Sequence, residues 1–222
     1  MERQILKEYE DIRNELASIL FVVDAQGFYL KKKFYPRVFS IVSEACFFVY
    51  EIDTGLSEKD FKGDDKHNFK YLVRFIHGLD LKPKRLNFGF SCHNPETFKT
   101  YVKNMYESYK TDQQICIGFK NSQLKPYLES LELPLIDLEN PKYRCPNLKF
   151  LDEYFGGKDY WFCGCHNHLP SAKEKQVGYR CALRKSAYLW RWAQNTIKDY
   201  DLKLATSVED KTAVGVLDCL LK

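Results

Sequence analysis

The run from Ile19 to Val23, ILFVV, has no polar residue and ends at Asp24. A continuous apolar run rich in β-branched residues is typical of a strand covered on both faces, in a sheet that has helices on each side. A strand with one solvated face would alternate polar and apolar residues instead. The chain must therefore place helices on both faces of this strand.

An amphipathic pattern precedes this run. Its apolar positions form one helical stripe: Ile5, Leu6, Tyr9, Ile12, Leu16 and Ala17. The pattern predicts a helix that needs a surface to lie on. The first twenty residues have no apolar core typical of a signal peptide, and no stretch approaches the roughly 18 apolar residues of a membrane span. We therefore expect an intracellular protein, cytoplasmic or nuclear, with no membrane contact.

Downstream, the pattern predicts a three-strand antiparallel meander followed by alternating helices and strands. We expect a turn at Gly27 and the Lys31–Lys33 triplet, and a loop over 54–68 ahead of a helix that ends near Gly78. The further predicted strands are 37–42, 45–52, 85–90, 114–119 and 133–138, and the helices are 66–75, 95–109, 124–131 and 182–200. This order is mixed α/β. The economical division is a single domain over 1–222, with an N-terminal helix over 1–17 and a C-terminal helical extension at about 196–222.

Three cysteines and two histidines cluster before the last predicted helix: Cys163, Cys165, His166, His168 and Cys181. Cys165 and His168 form a C-x2-H pair, and Cys163 with His166 forms a second, interleaved one. This spacing suits thiolate and imidazole ligands of a tetrahedral zinc ion. The alternative is a cysteine-rich loop that merely packs. Without an export signal, metal binding or packing explains the eight cysteines better than disulfides do.

Four elements of the chain carry a family resemblance. They are Asp24 at the end of the first strand, the step His77-Gly78-Leu79, the stretch QICIGFKNSQLKPYLESLELPLIDLEN from Gln114, and CALRKSAYL from Cys181. Together they resemble the motifs of the DEDD 3′-5′ exonucleases over roughly residues 19 to 195. The resemblance implies a ribonuclease H-like mixed sheet flanked by helices.

The family cleaves nucleic acid with two Mg²⁺ or Mn²⁺ ions held by carboxylates. Here Gln26 stands at the position of the family's glutamate, and Asn121-Ser122-Gln123-Leu124 contains no aspartate. Arg180 replaces the general-base histidine, and Lys185 replaces the last aspartate. Cations at these positions should repel divalent metal, so we predict a degenerate enzyme without catalytic residues. If the protein were active, Asp24 and Asp137 would have to converge with Asp152 or Asp159.

A degenerate site followed by a cysteine–histidine cluster resembles the Maelstrom domain. That family binds zinc through a Glu-Cys-His-Cys set, whose three later members match Cys165, His168 and Cys181. No glutamate stands near Val38-Phe39-Ser40, where the family has one. The fourth ligand is left open among Glu44, His166, Cys163 and Cys145. The resemblance implies binding of single-stranded RNA and a role in small-RNA silencing.

The net charge of +4 permits contact with nucleic acid without requiring it. The cations predicted to meet phosphates in the former active site are Lys120, Lys125, Arg180, Arg184, Lys185 and Arg191. Tyr179, Tyr188 and Trp161 would stack on unpaired bases. The predicted partner is single-stranded RNA, with DNA as a possibility. The alternatives are a solvated helix face, a protein-interaction scaffold that docks a partner through the N-terminal helix, and a metal-dependent nuclease that uses Asp24.

Overall fold

A computed structural model describes residues 2–76, 78–83, 90–92, 94–155 and 181–220. The strands within these residues are β1 (Ile19–Leu30), β2 (Lys33–Val42), β3 (Phe47–Ile52), β4 (Phe90–Cys92), β5 (Cys116–Phe119) and β6 (Leu135–Asp137). The α-helices are α1 (Glu2–Ala17), α2 (Gly63–Tyr71), α3 (Pro95–Tyr109), α4 (Lys125–Glu129), α5 (Leu148–Phe155) and α6 (Ala182–Leu220). None of the helices in this part of the chain is long and apolar enough to cross a membrane.

The six strands form one mixed sheet in the order β4-β3-β2-β1-β5-β6. Strands β1, β2 and β3 are the antiparallel meander, while β4 joins β3 and β5 joins β1 in parallel. Strand β6 extends the sheet parallel to β5. The predicted α/β class, a mixed sheet with a three-strand antiparallel meander flanked by helices, is confirmed.

Strand β1 lies in the centre of the sheet and is buried from Ile19 to Phe28. Because side chains alternate along a strand, its residues divide between two layers. Phe21 and Val23 pack with residues of α3 and α4, on the side that we call the α3 face. Val22 packs with residues of α1 and α6, on the side that we call the α6 face. The apolar run is therefore continuous because helices cover both faces.

The second half of the apolar stripe of α1 packs inside the protein, whereas Ile5 near its start is 42% exposed. Ile12 and Leu16 are buried in the same cluster as α6 residues. Tyr9 packs against Tyr200 with ring centroids 5.3 Å apart, and the Arg13 Nε atom lies 2.8 Å from Asp201 Oδ1. From Tyr9 onward, the stripe that supported a scaffold function is thus explained by packing against α6. Helix α6 itself runs unbroken past Tyr200, where the sequence suggested a separate last segment.

Gly27 lies within β1 and not in the predicted turn, which is formed by Lys31 and Lys32 with φ of 51° and 65°. The β1–β2 register shifts between Gln26 and Gly27, so that Arg37 is the extra residue of a bulge. A Cβ atom on Gly27 would lie 2.0 Å from the carbonyl oxygen of Tyr35. Glycine is therefore required here because of this close approach and not because of its torsion angles.

The predicted loop over 54–68 is wrong in its second half, because α2 already begins at Gly63. Asp64 and Asp65 occupy the first turn, where carboxylates interact favourably with the helix dipole. Phe69 on α2 stacks on the buried Phe61 with centroids 4.6 Å apart. Composition alone did not predict the start of this helix, because its stability comes from tertiary packing. Gly78 follows with φ of 62°, as expected of a residue that ends a helix.

Candidate functional site: a buried ion pair on the central strand

Asp24 lies in the middle of β1 and is 1% exposed. Its Oδ2 atom is 3.2 Å from the Nζ atom of Lys185 on α6, and its Oδ1 atom accepts a hydrogen bond of 3.2 Å from the Asn121 side-chain amide. Three of the positions identified from the exonuclease resemblance are therefore in contact through Asp24. With Ser40 and Ser186 they form what we call the Asp24 cluster.

The neighbouring elements explain why these residues meet. Asn121 follows the end of β5, which runs beside β1 and in the same direction. Lys185 lies in the first turns of α6, and its backbone N–H donates to the carbonyl of Cys181 at 3.0 Å. Helix α6 contacts both β1 and β2, so its first residues lie over the middle of the sheet.

Two serines attach α6 to the sheet at this point. Ser40 is the cross-strand partner of Asp24, and its hydroxyl donates to the Asp24 carbonyl at 3.2 Å. The hydroxyl oxygens of Ser40 and Ser186 lie 2.6 Å apart, and both residues are fully buried. Ser186 directly follows Lys185, so this contact fixes the position of the Lys185 backbone relative to the sheet. The serines are functional-site residues that the sequence analysis missed.

Burial raises the pKa of Asp24 above its ordinary value, while the charge of Lys185 and the hydrogen bond from Asn121 act in the opposite direction. The Lys185 side chain is 15% exposed, so water screens this interaction weakly. When both groups are ionised, the pair carries no net charge. A buried pair of this kind offers little attraction to a divalent cation.

The described residues around Asp24 do not fit a two-metal centre. Gln26 is a neutral amide, and it is buried two residues further along β1. Within the described residues, no three His, Cys, Asp or Glu side chains lie close enough together to hold a metal ion. The second ligand position is Asn121, and the third is the cation Lys185. This donor set is unsuited to Mg²⁺ or Mn²⁺, which require several oxygen ligands that include carboxylates.

The structure does not bring Asp137 to Asp24. Val23 pairs with Phe119, and Phe119 pairs with Asp137. Residues paired across strands share a face of the sheet, so Asp137 lies on the α3 face, whereas Asp24 points to the α6 face. Asp152 accepts a hydrogen bond of 2.9 Å from the Tyr188 hydroxyl, and Asp159 lies outside the described residues. The convergence of Asp24 with Asp137 required for an active site is therefore absent.

The predicted phosphate-binding cations are distributed over several places. Lys185 is held in the buried pair, and Arg184 and Arg191 are half-buried on α6. The Nζ atom of Lys120 donates to the backbone carbonyl of Cys145 at 2.9 Å, so in this contact the lysine charge faces a neutral oxygen and not a carboxylate. Lys125 pairs with Asp137 at 3.6 Å, on the α3 face. Arg180 lies outside the described residues.

The aromatic residues predicted to stack on bases are either buried or outside the described residues. Tyr188 is buried and bonded to Asp152, so its ring is not available to a base, while Tyr179 and Trp161 lie outside the described residues. A pair that the sequence analysis missed, Phe150 and Tyr154 on α5, is 52% and 68% exposed, with rings nearly parallel at 8°. Their i, i+4 spacing was the signal that could have identified them.

Of the five predicted zinc ligands, Cys163, Cys165, His166 and His168 lie outside the described residues. Cys181 is buried directly before α6. Among the alternatives for a fourth ligand, Glu44 is exposed in the β2–β3 turn. Burial raises the pKa of the Cys145 thiol to about 12, which favours the protonated thiol over the thiolate that binds metal.

No protein-family model matches this sequence, and no curated protein matches it significantly. Two solved structures of a Mopeia virus exonuclease domain resemble the chain. The domain fully depleted of manganese has a TM-score of 0.41 at 14% identity, with 85% of this chain and 82% of that chain covered. The domain partially complexed with manganese has a TM-score of 0.39 at 17% identity, with 85% and 83% covered. Because both TM-scores lie below 0.5, neither likeness assigns a fold family or an activity to this chain.

Proposed function

We propose that the protein binds single-stranded RNA through an exonuclease-like fold that no longer supports two-metal cleavage. One observation carries the proposal: the ammonium group of Lys185 lies 3.2 Å from the carboxylate of Asp24, where an active site would hold a metal ion. A cation fixed at this position competes directly with a divalent metal for the same oxygen.

The cations around the Asp24 cluster support binding of a polyanion. Arg184 is adjacent to Lys185 on α6, and Lys120 is adjacent to Asn121 after β5. Arg191 lies seven residues beyond Arg184, about 10 Å further along the same side of the helix. Phosphates that follow this side of α6 would meet both arginines. Lys125 belongs to the α3 face and is not part of the proposed surface.

Zinc is proposed as a structural ion of the segment before α6, held by Cys165, His168 and Cys181 with a fourth ligand from Cys163 or His166. The ligand spacing supports this assignment, and so does the position of Cys181 at the start of α6. Zinc there would hold the preceding segment against the helix that carries Lys185. Involvement in small-RNA silencing rests on the Maelstrom-domain resemblance alone.

RNA binding is tested by fluorescence anisotropy of an end-labelled single-stranded RNA at a series of salt concentrations, in a buffer without added divalent metal and without a chelator that would remove the proposed zinc. The logarithm of the affinity should fall linearly with the logarithm of salt concentration, by roughly 0.7 for each neutralised phosphate. Arg184→Gln should reduce this slope by about 0.7. Single-stranded DNA of the same sequence, measured in parallel, shows whether the 2′-hydroxyl contributes.

Lys103→Gln is the matched control, because Lys103 on α3 is 40% exposed and pairs with Glu132 on the opposite layer of the protein. Its salt slope should equal that of the wild type. An equal reduction in both variants would mean that the RNA does not follow α6. No binding by the folded wild-type protein at low salt would reject the function.

A further inference from the structure

A cavity of about 680 Å³ lies between the β2–β3 turn and the side of α6. Its volume falls within the roughly 300–1,000 Å³ of small-molecule sites. Val42, Leu183 and Ala187 supply apolar lining, and polar side chains project from both sides. We propose that this cavity holds one unstacked nucleobase of single-stranded nucleic acid, an inference that rests on the proposed function and adds a base-binding site to it.

Aromatic side chains give the cavity a surface for stacking. Phe47, the first residue of β3, is 56% exposed at the cavity, whereas Trp190 is almost entirely buried in its lining. A large apolar ring left exposed at the mouth of a cavity is suited to the face of a planar base. Stacking of this kind is available to every base because every base has a π-face.

The turn that presents Phe47 is held by its own hydrogen bonds. The Ser43 backbone N–H donates to the Cys46 carbonyl at 2.8 Å, and the Cys46 N–H donates to the Ser43 hydroxyl at 3.2 Å. The Ser43 hydroxyl and the Cys46 thiol are also 3.2 Å apart. These bonds restrict the conformation of the turn in the free protein. Binding of a ligand therefore costs little additional conformational entropy in the turn.

Polar groups of the lining match the edge of a base and its phosphate. Gln194 and Asn195 on α6 have side-chain amides that both donate and accept hydrogen bonds. The Glu44 carboxylate accepts only, so it suits an exocyclic amino group such as N4 of cytosine. Arg191 also lines the cavity, and its guanidinium matches the geometry of a phosphate. An amino-bearing nucleotide satisfies both charged groups at once.

The cavity also adjoins the proposed phosphate path. Arg191 belongs both to this lining and to the side of α6 that carries Arg184. A strand bound along α6 can therefore turn one base into the cavity while its phosphates stay at the arginines. Binding through phosphates alone is independent of the nucleotide sequence. A base held in the cavity would give the protein a preference among bases.

Saturation-transfer NMR with each of the four nucleoside 5′-monophosphates tests the site without a polymer. Cytidine 5′-monophosphate should bind the wild-type protein more tightly than uridine 5′-monophosphate. Phe47→Ser should weaken cytidine monophosphate binding about tenfold, because stacking is lost. Glu44→Gln should reduce the preference for the cytidine nucleotide while leaving the fold unchanged, since Glu44 is exposed.

Tyr71→Ser is the matched control, as Tyr71 is 54% exposed on α2 and does not line the cavity. Its nucleotide affinity should equal that of the wild type. No saturation transfer to the wild type, or equal loss in the Phe47 and Tyr71 variants, would overturn the proposal. RNA binding along α6 that persists while mononucleotides fail to bind would leave the proposed function standing without this site. Nucleotide binding without RNA binding would leave this site standing without the proposed function.

Discussion

Replacement of Lys185 by methionine tests the buried ion pair of the Asp24 cluster. Lys185→Met keeps the length of the side chain and removes the ammonium group, which leaves the buried Asp24 carboxylate with the hydrogen bond that it accepts from the Asn121 amide. At 3.2 Å and an effective dielectric constant of about 20, the attraction lost is about 5 kcal/mol. Breaking a buried pair by removing one partner typically costs about 3–5 kcal/mol.

Protonation of Asp24 limits this cost. Burial already raises the pKa of Asp24, and loss of the opposing Lys185 charge should raise it further. A carboxyl group whose pKa is raised by folding stabilises the protein at low pH, and this contribution is lost as the pH rises through the folded-state value. The destabilisation by Lys185→Met should therefore be largest at neutral pH and should shrink as the pH falls and Asp24 takes up a proton.

The assay is urea unfolding of both proteins at pH 7 and at pH 5. At pH 7 we expect a loss of about 3–5 kcal/mol in the free energy of unfolding, or roughly 6–20 °C in Tm for a chain of this size. Lys125→Met is the control, because Lys125 is 46% exposed in its ion pair, and its loss should be below about 1 kcal/mol. The double variant Asp24→Asn with Lys185→Met should recover most of the loss. Equal effects of Lys185→Met and Lys125→Met would refute a buried ion pair.

Three further changes test other parts of the structure. Gly27→Ala should destabilise the protein by about 3 kcal/mol in urea unfolding, because a Cβ atom would meet the Tyr35 carbonyl at 2.0 Å; a neutral result would contradict the β1–β2 register. Arg37→Met should cost about 3–5 kcal/mol, since the guanidinium donates to the carbonyls of Asp80 and Lys82 and meets Glu51 at 3.4 Å; a loss below 1 kcal/mol would place Arg37 outside the core. Cys181→Ser should lower both the zinc content by metal analysis and the Tm, whereas Cys116→Ser should leave the zinc content unchanged; wild-type protein without zinc would leave only packing for Cys181.

Part of this architecture could be predicted from the sequence because it depends on local patterns. The apolar run before Asp24 predicts a strand covered on both faces, and the β1–β3 meander follows from the patterning of residues 37–52. Asp24, Asn121 and Lys185 were placed at motif positions, and the structure brings them together. These predictions required only the order and the type of the elements.

The roles of these residues could not be predicted in the same way. Lys185 was expected to meet phosphate, but its partner is fixed by how α6 lies on the sheet, which depends on the Ser40–Ser186 contact. Asp137 had to lie near Asp24 only if the protein were an active nuclease; the pairing of β5 with β1 and β6 decides which face Asp137 occupies, and a one-residue change in register would reverse that face. Register and docking arise from tertiary contacts that no local pattern specifies.

Loss of two-metal cleavage is tested by incubating an end-labelled single-stranded RNA with the protein in Mn²⁺ and following the length of the RNA on a denaturing gel. If Lys185 takes the place of a metal ion beside Asp24, as we propose, the RNA should be bound by the protein and should remain at full length throughout. Progressive shortening that is abolished by Asp24→Asn would contradict the account, because it would show that Asp24 holds a catalytic metal in spite of its lysine partner.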